Sequence, residues 1–310
     1  MSRPTIVVVT GPTASRKSEL ASGLAGRLDG ELVCCDSVQL VRGFRVGAAG
    51  PTADEMTRIP HHLYGVVDPD EPTDAGQYAR MADDVIAAID GRSRRPIVVG
   101  GTGLYLRALL EGLIELGPIP ASVRERLQRE LDELGNSTLF ERLVRLDPKL
   151  AGRIEGGARN TQRMLRGLEV VEGTGQRLSD LHDAHQRQES RYVALVLMPC
   201  FKPGILAERI ERRVDAMMEK GFLQEVRALL KAGISPSSRP MQSLGYRELI
   251  QVIQGDRSEE DAVRAIKQGH RKYAKRQRTW FRHQAQSIPL DGMSTTLVDD
   301  ALSVLQERGL

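Results

Sequence analysis

An α/β fold, with a parallel sheet covered by helices on both faces, is predicted by three features of the chain. Apolar strand-like runs alternate with helical segments through the first third, the first run ends in a glycine-containing loop, and the pattern turns helical and charged after Leu113. Pro4–Thr10 (PTIVVVT) is β-branched and stops at Gly11-Pro12. Lys17–Leu28 carries Leu20, Leu24 and Leu28 at helical spacing. Glu31–Cys35 reads as a second strand ending at Asp36. Tyr78–Ile89 reads as a helix with Met81, Val85 and Ile89 on one face, and Pro96–Val99 as a third strand closed by Gly100-Gly101-Thr102-Gly103. Apolar strands without alternation, separated by helices, belong to parallel sheets buried on both faces.

Ser122–Leu134, Thr138–Leu146 and Thr161–Glu172 are helix-like and charged, and Tyr192–Met198 (YVALVLM) restores a strand. Residues 114–191 are therefore expected to form a mostly helical insertion domain, with 1–113 and 192–310 as the core. Leu206–Lys220, Leu223–Lys231 and a long basic segment, Glu259–His283, follow as helices.

The 310 residues, 40% hydrophobic and 27% charged, exclude extended disorder and collagen-like architecture. No apolar run approaches the ~20 residues that span a bilayer, so no membrane partner is expected. Met1-Ser-Arg-Pro leads directly into a strand-like run without the pattern of a secretion signal. Three cysteines, Cys34 and Cys35 adjacent, point to a reduced, cytoplasmic protein.

The net charge of +3 is unevenly spread. From Ala262 to His283 there are eight Lys and Arg and no Asp or Glu, which leaves −5 on the rest of the chain. Arg264, Arg271, Lys275, Arg278 and Arg282 fall on one helical face, and Tyr273 and Trp280 on another that would pack on the core. A merely solvated helix would carry acidic partners one turn away. A polyanion, read mainly through its phosphates, is the expected partner.

Gly11-Pro12-Thr13-Ala14-Ser15-Arg16-Lys17-Ser18 stands between strand and helix, as a phosphate-binding loop must, which makes the core P-loop NTPase-like. Backbone N–H groups and the helix N-terminus would hold phosphate oxygens, Lys17 would add a cation and the Ser18 hydroxyl would be the ligand for Mg²⁺. The pattern wants glycine where Arg16 stands. A side chain there restricts the backbone and is expected to crowd the anion, so that the site is impaired but competent.

These blocks together resemble the tRNA dimethylallyltransferases, also called tRNA isopentenyltransferases. Gly11–Ser18 resembles their GPTASGKS loop, and Asp36-Ser37-Val38-Gln39 their DSxQ motif. Ile59-Pro-His-His-Leu63 with Asp68-Pro69, and Gly100-Gly-Thr-Gly-Leu-Tyr-Leu106, match further signatures. Gln162-Arg163 through Arg166-Gly-Leu-Glu169, Gly245-Tyr246 and Lys275-Arg-Gln-Arg-Thr-Trp-Phe-Arg282 complete the order over nearly the whole chain. The resemblance implies transfer of a dimethylallyl group from dimethylallyl diphosphate to N6 of adenosine 37, beside the anticodon of tRNAs reading codons that start with U.

It also implies the site. Asp36, Thr102 and Arg213 would be catalytic, Gly11 to Ser18 would bind the diphosphate, and Mg²⁺ would be the cofactor. The tRNA would meet Asp36, Ser37, Val38, Gln39 and Thr102; Arg124, Gln162, Arg163 and Arg166 of the insertion; Gly245, Tyr246 and Arg247; and Lys275, Arg276, Arg278, Trp280 and Arg282. A monomer is expected to suffice.

Each residue also has a plainer reading. Asp36 after a strand is a helix cap, Thr102 a turn residue, Arg213 a solvated helix cation, and Cys34 and Cys35 small hydrophobes. His61-His62 lacks partners at metal-ligand spacing. The sequence departs from the family at Arg16, Val41, Ala48–Pro51, Arg159-Asn160 and His270, which leaves open a divergent, weak or silent tRNA-binding relative. A small-molecule P-loop kinase would want a carboxylate after Val98-Val99 and has none there. Transfer to free adenylate would need neither the insertion nor the basic helix.

Overall fold

The computed structural model describes residues 3–71, 73–114, 116–185, 190–284 and 286–310. The chain divides into two compact units, residues 1–112 with 191–310, and residues 113–190. The sequence places the same division one residue later.

In the larger unit the order is β1 (Thr5–Thr10), α1 (Lys17–Arg27), β2 (Gly30–Cys34), α2 (Ala53–Arg58), β3 (His61–His62), α3 (Ala75–Asp90), β4 (Arg95–Gly100) and α4 (Gly103–Glu111). The smaller unit holds α5 (Ala121–Leu146), α6 (Pro148–Arg153), α7 (Thr161–Thr174) and α8 (Leu178–His185). The chain then returns through β5 (Val193–Cys200), α9 (Pro203–Glu219), α10 (Phe222–Lys231), α11 (Tyr246–Gln254), α12 (Glu259–Gln284), β6 (Ile288–Asp291) and α13 (Leu297–Glu307).

The six strands form one parallel sheet in the order β3-β2-β4-β1-β5-β6. Strand pleating explains the continuous apolar runs. Ile6 and Val8 of β1 face a cluster with Val98, Tyr78, Ile86 and Leu109, while Val7 and Val9 face the opposite cluster with Leu20, Leu24, Ala301 and Leu305. Tyr78 and Tyr105 stack between α3 and α4, their ring centroids 4.4 Å apart. A third cluster joins α9, α10 and α11 to the loop after β2 through Phe44, Val214, Phe222 and Tyr246.

β1 lies between β4 and β5, so the chain crosses over β4 to reach β2. The carboxyl ends of β2, β4 and β1 consequently open side by side, the place where open α/β sheets bind ligands. The segments that follow these three strands carry Asp36, Thr102 and the Gly11–Ser18 loop.

In the smaller unit the two helices expected at 122–146 are the halves of α5, broken at Gly135, whose φ of 76° and ψ of 168° interrupt the helix. Leu127, Leu139, Leu143, Met164 and Leu168 make its core. β6 and α13 were not foreseen. β6 has four residues and contains Pro289, which an edge strand tolerates, and α13 shows its character only through Leu297, Ala301 and Leu305 at steps of four.

Leu143 is wholly buried in the small unit. Leu143→Ala is expected to cost about 2–5 kcal/mol by cavity formation. Hydrogen exchange should show the loss in residues 113–190 and leave the β1 and β4 amides unchanged.

Candidate active site

The loop after β1 owes its shape to three residues of positive φ: Gly11 at 140°, Ala14 at 63° and Arg16 at 67°. Such residues alternating with ordinary ones turn successive N–H groups toward a common concavity, and α1 starts at Lys17 to add its N-terminus. Not every amide is free, because the Thr13 N–H donates to Gln277 Oε1 (2.9 Å). Gln277 Nε2 in turn donates to the Gly101 carbonyl (2.9 Å). A Cβ on Gly101 would stand 2.4 Å from that nitrogen, and one on Gly103 2.6 Å from the Trp280 ring. The glycines after β4 are thus there to admit α12.

A cavity of about 440 Å³ opens at the loop, lined by Ala14 to Glu19 and by Arg209, Arg212 and Arg213 of α9. Lys17 is half-buried, and burial, reinforced by Arg213 and partly countered by Asp36, lowers its ammonium pKa to about 8. Arg213 is also half-buried, and its buried Nε has no partner among the described residues. A solvated helix cation would not be placed so. Arg209, four residues earlier on the same face, donates from Nε to the Ala14 carbonyl (3.0 Å) and lies 4.8 Å over the Phe201 ring.

The Arg16 side chain does not fold back over the loop as the sequence suggests but is tied to other parts of the chain. Nη1 donates to the carbonyls of Gly292 (2.8 Å) and Ser294 (2.9 Å), and Nε and Nη2 donate to Glu19 (2.9 and 2.6 Å). Four of the five N–H donors of a guanidinium are therefore spent within the chain.

Asp36 both caps and faces the cavity charges. Its Oδ1 accepts from the N–H groups of Val38 (3.0 Å) and Gln39 (3.3 Å), closing the turn 37–40. Hydrogen bonds to Oδ2 are absent among the described residues, and the carboxylate is near enough to Lys17 and Arg213 to oppose the effect of burial on both. Thr102 stands in the turn after β4, as its plainer reading has it. Its Oγ1 accepts from the Ser37 N–H (3.0 Å), and its own N–H donates to the Cys35 carbonyl (3.2 Å), so the β4–α4 turn fixes the Asp36 segment.

Gln39 is oriented by donating to the carbonyls of Ala48 (2.9 Å) and Ala49 (3.0 Å). The loop that supplies them is held by the Glu225 carboxylate, which accepts from the N–H groups of Arg45 (3.0 Å), Val46 (2.6 Å) and Gly47 (3.0 Å) and from the Tyr246 hydroxyl (2.8 Å). Tyr246 is 1% exposed and Gly245 is buried, so neither is an RNA contact as expected. Both belong to the packing behind the Gln39 loop. Arg247 is exposed and paired with Glu248.

The basic helix needs a second correction. Arg264 pairs with Asp261 and Glu260, just ahead of the acid-free stretch, while Lys267 pairs with Asp215 (2.6 Å) and Arg271 with Glu211 of α9. Ion pairs to Lys275, Arg276, Arg278 and Arg282 are absent among the described residues, which puts the unpaired charge in the last half. The buried stripe is Ala262, Ile266, His270, Ala274, Gln277 and Phe281, with Tyr273 and Trp280 half-buried beside it. Burial and the neighbouring Arg213 lower the His270 pKa to about 4, so it packs neutral.

In the smaller unit Gln162 and Arg163 are exposed, whereas Arg124 and Arg166 both bind the buried Glu169 (2.7 and 3.1 Å). His61 Nδ1 donates to the Ile59 carbonyl (2.7 Å), and His62 Nε2 meets Glu31 (2.6 Å). Cys34 and Cys35 are buried thiols whose pKa values burial pushes up. Groups of three or more His, Cys, Asp or Glu able to hold a metal are absent among the described residues.

The model of one protein family, described as IPP transferase, matches residues 39–284. The chain belongs to the IPP transferase family. A relative in Pelobacter propionicus, tRNA dimethylallyltransferase 1, is 48% identical over 288 residues, 93% of each chain. The protein of that name in Syntrophotalea carbinolica is 46% identical, over 93% of this chain and 91% of its own. The structure of a tRNA isopentenylpyrophosphate transferase from Staphylococcus epidermidis superposes with a TM-score of 0.72 at 34% identity, covering 99% of this chain and all of that one. A eukaryotic dimethylallyltransferase acting on tRNA superposes at 0.82 with 25% identity, over 98% and 79%. The parallel sheet and P-loop-like core expected from sequence are those of this IPP transferase family.

Arg209, Gln277 and Glu225 are the site-building residues that sequence reasoning missed. Arg209 was readable as the i−4 neighbour of Arg213, and Gln277 as the polar member of an otherwise buried stripe. Glu225 carries no local signal.

The depressed Lys17 pKa sets a pH dependence. Bound anion favours the ammonium, so diphosphate binding takes up a proton above about pH 8 and weakens as pH rises, by up to ~10-fold per unit. Calorimetry with inorganic diphosphate between pH 7 and pH 10 should show this slope, and Lys17→Met should abolish it.

Proposed function

We propose that this chain transfers a dimethylallyl group from dimethylallyl diphosphate to N6 of adenosine 37 in tRNAs that read codons starting with U. The observation that carries the reading is a carboxylate, Asp36, within electrostatic reach of Lys17 and Arg213, which line a cavity together with Ser18, Arg209 and Arg212. A carboxylate without a fixed ion pair beside clustered cations suits a reaction that removes one proton and releases one highly charged anion.

The adenine amine is a weak nucleophile because its lone pair is delocalised into the ring. As its nitrogen bonds to the allylic carbon, the C–O bond to diphosphate breaks and the amine must lose a proton. Asp36 accepts that proton through Oδ2 while Oδ1 stays on the turn amides. Lys17, Arg213 and the free loop amides neutralise the departing diphosphate. Thr102 holds Ser37 and hence the direction of Asp36.

Mg²⁺ fits this donor set. The Ser18 hydroxyl is exposed on the cavity, and a Mg²⁺ ion is commonly held by few protein atoms together with phosphate oxygens. It would supply further neutralisation of the leaving group. The base must leave its stack to reach Asp36. The exposed cations of α12 meet phosphates of the anticodon stem-loop and Gln39 an unstacked base; in the smaller unit, the exposed Gln162 and Arg163 are the groups offered to RNA. We assign the protein to the cytoplasm, where its tRNA substrate is, and to a monomer. No helix among the described residues is long and apolar enough to cross a membrane.

Asp36→Asn keeps an oxygen for the turn and removes the base. It is expected to lower kcat by ~100-fold or more with little change in the KM for tRNA, read by mass spectrometry of tRNA nucleosides. Near-normal turnover would remove Asp36 from the chemistry. Replacing Lys275 and Arg278 together by Ala should weaken tRNA binding and make its salt slope shallower by about one unit, measured by filter binding across a salt series.

A further inference from the structure

We propose that Arg16 is a positioning residue, a strap that holds the phosphate loop in its anion-binding shape by tying it to the turn between β6 and α13. The proposal rests on the reading of the loop as the donor diphosphate site. Two non-glycine residues of that loop, Ala14 and Arg16, sit in the left-handed region, a conformation that crowds the Cβ of an ordinary residue against the following carbonyl.

Both are held from outside the loop. The Ala14 carbonyl accepts from Arg209, and Arg16 is held by its own side chain on the Gly292 and Ser294 carbonyls and on Glu19. These contacts close a ring. Gly292 donates to the Cys200 carbonyl (2.8 Å) and packs so tightly on Phe201 that a Cβ would lie 2.2 Å from its ring. The same ring of Phe201 carries the Arg209 guanidinium.

The Arg16 side chain is 19% exposed and its fork is matched to two carbonyls and a carboxylate at once. An ammonium with three donors at one point does not span these positions. Glycine meets the backbone requirement by its own freedom. Arginine here meets it through tertiary contacts, which makes the C-terminal segment part of the donor site's support.

The test compares Arg16→Ala, Arg16→Gly and Arg16→Lys with wild type. Inorganic diphosphate binding is followed by calorimetry, amide exchange at residues 292–296 by mass spectrometry, and KM is measured separately for dimethylallyl diphosphate and tRNA. Arg16→Ala keeps the backbone demand and loses the strap, so its diphosphate Kd and donor KM should rise roughly tenfold. Arg16→Gly should stay within about threefold of wild type, and Arg16→Lys should fall between. All three should speed exchange at 292–296, Ala and Gly equally, with the KM for tRNA unchanged.

Equal loss of diphosphate binding in the Ala and Gly variants, with exchange at 292–296 unaltered, would make Arg16 a direct ligand and overturn the strap. Wild-type binding by Arg16→Ala would overturn it as well. Failure of the wild type to transfer a prenyl group would instead strike the functional reading, and diphosphate binding and exchange would still decide the role of Arg16.

Discussion

The site depends above all on a single buried carboxamide. Gln277 reaches from α12 to accept from Thr13 in the phosphate loop and to donate to the Gly101 carbonyl after β4. It joins α12 to the phosphate loop and to the turn after β4, 264 and 176 residues away in sequence. A neutral group is suited to this place. A buried cation here would need its own counter-charge, and an apolar side chain would leave the Thr13 amide and the Gly101 carbonyl unpaired in a dry interior. The glycines of the β4–α4 turn follow from the same constraint, since Gln277 and Trp280 occupy the space their side chains would take.

With the frame held by neutral hydrogen bonds, the charged groups at the sheet's carboxyl edge stay free for chemistry. Lys17 and Arg213 face one another and Asp36 without a fixed ion pair, and both have their charged forms disfavoured by burial. A bound polyanion would supply the missing counter-charge. The pocket is therefore complementary to an anion through its unfavourable empty state as well as through direct attraction, which favours a polyanionic donor over a neutral one.

Much of this was legible in the sequence because its chemistry sits in contiguous blocks. Apolar runs located β1, α1, β2, α3, β4 and β5, and strand-end motifs located Asp36, Thr102 and Lys17. What stayed hidden depends on pairs distant in the chain. Glu225 looks like an ordinary surface acid of an amphipathic helix, yet it accepts four hydrogen bonds that set the Gln39 loop. Tyr246 was read as an RNA contact because it lies in a motif, and the motif records its packing. Arg16 looked like a defect because a sequence shows that glycine is missing and does not show the carbonyls that replace it.

The arginines and lysines illustrate the same limit and its resolution. Counting charge along 262–283 treats every cation as available, but the acids that neutralise them lie on α9 and in the first turn of α12, outside the counted stretch. Asp215, Glu211 and Asp261 take up Lys267, Arg271 and Arg264. What they leave is the far half of the helix, where Gln277 and Trp280 also pack against the loops that carry the reactive groups. The acids thus confine the helix's free positive charge to the half that packs on the phosphate loop and the turn after β4. Long-range attraction of a nucleic acid then acts at that half of the helix, while the paired cations contribute structure and little steering.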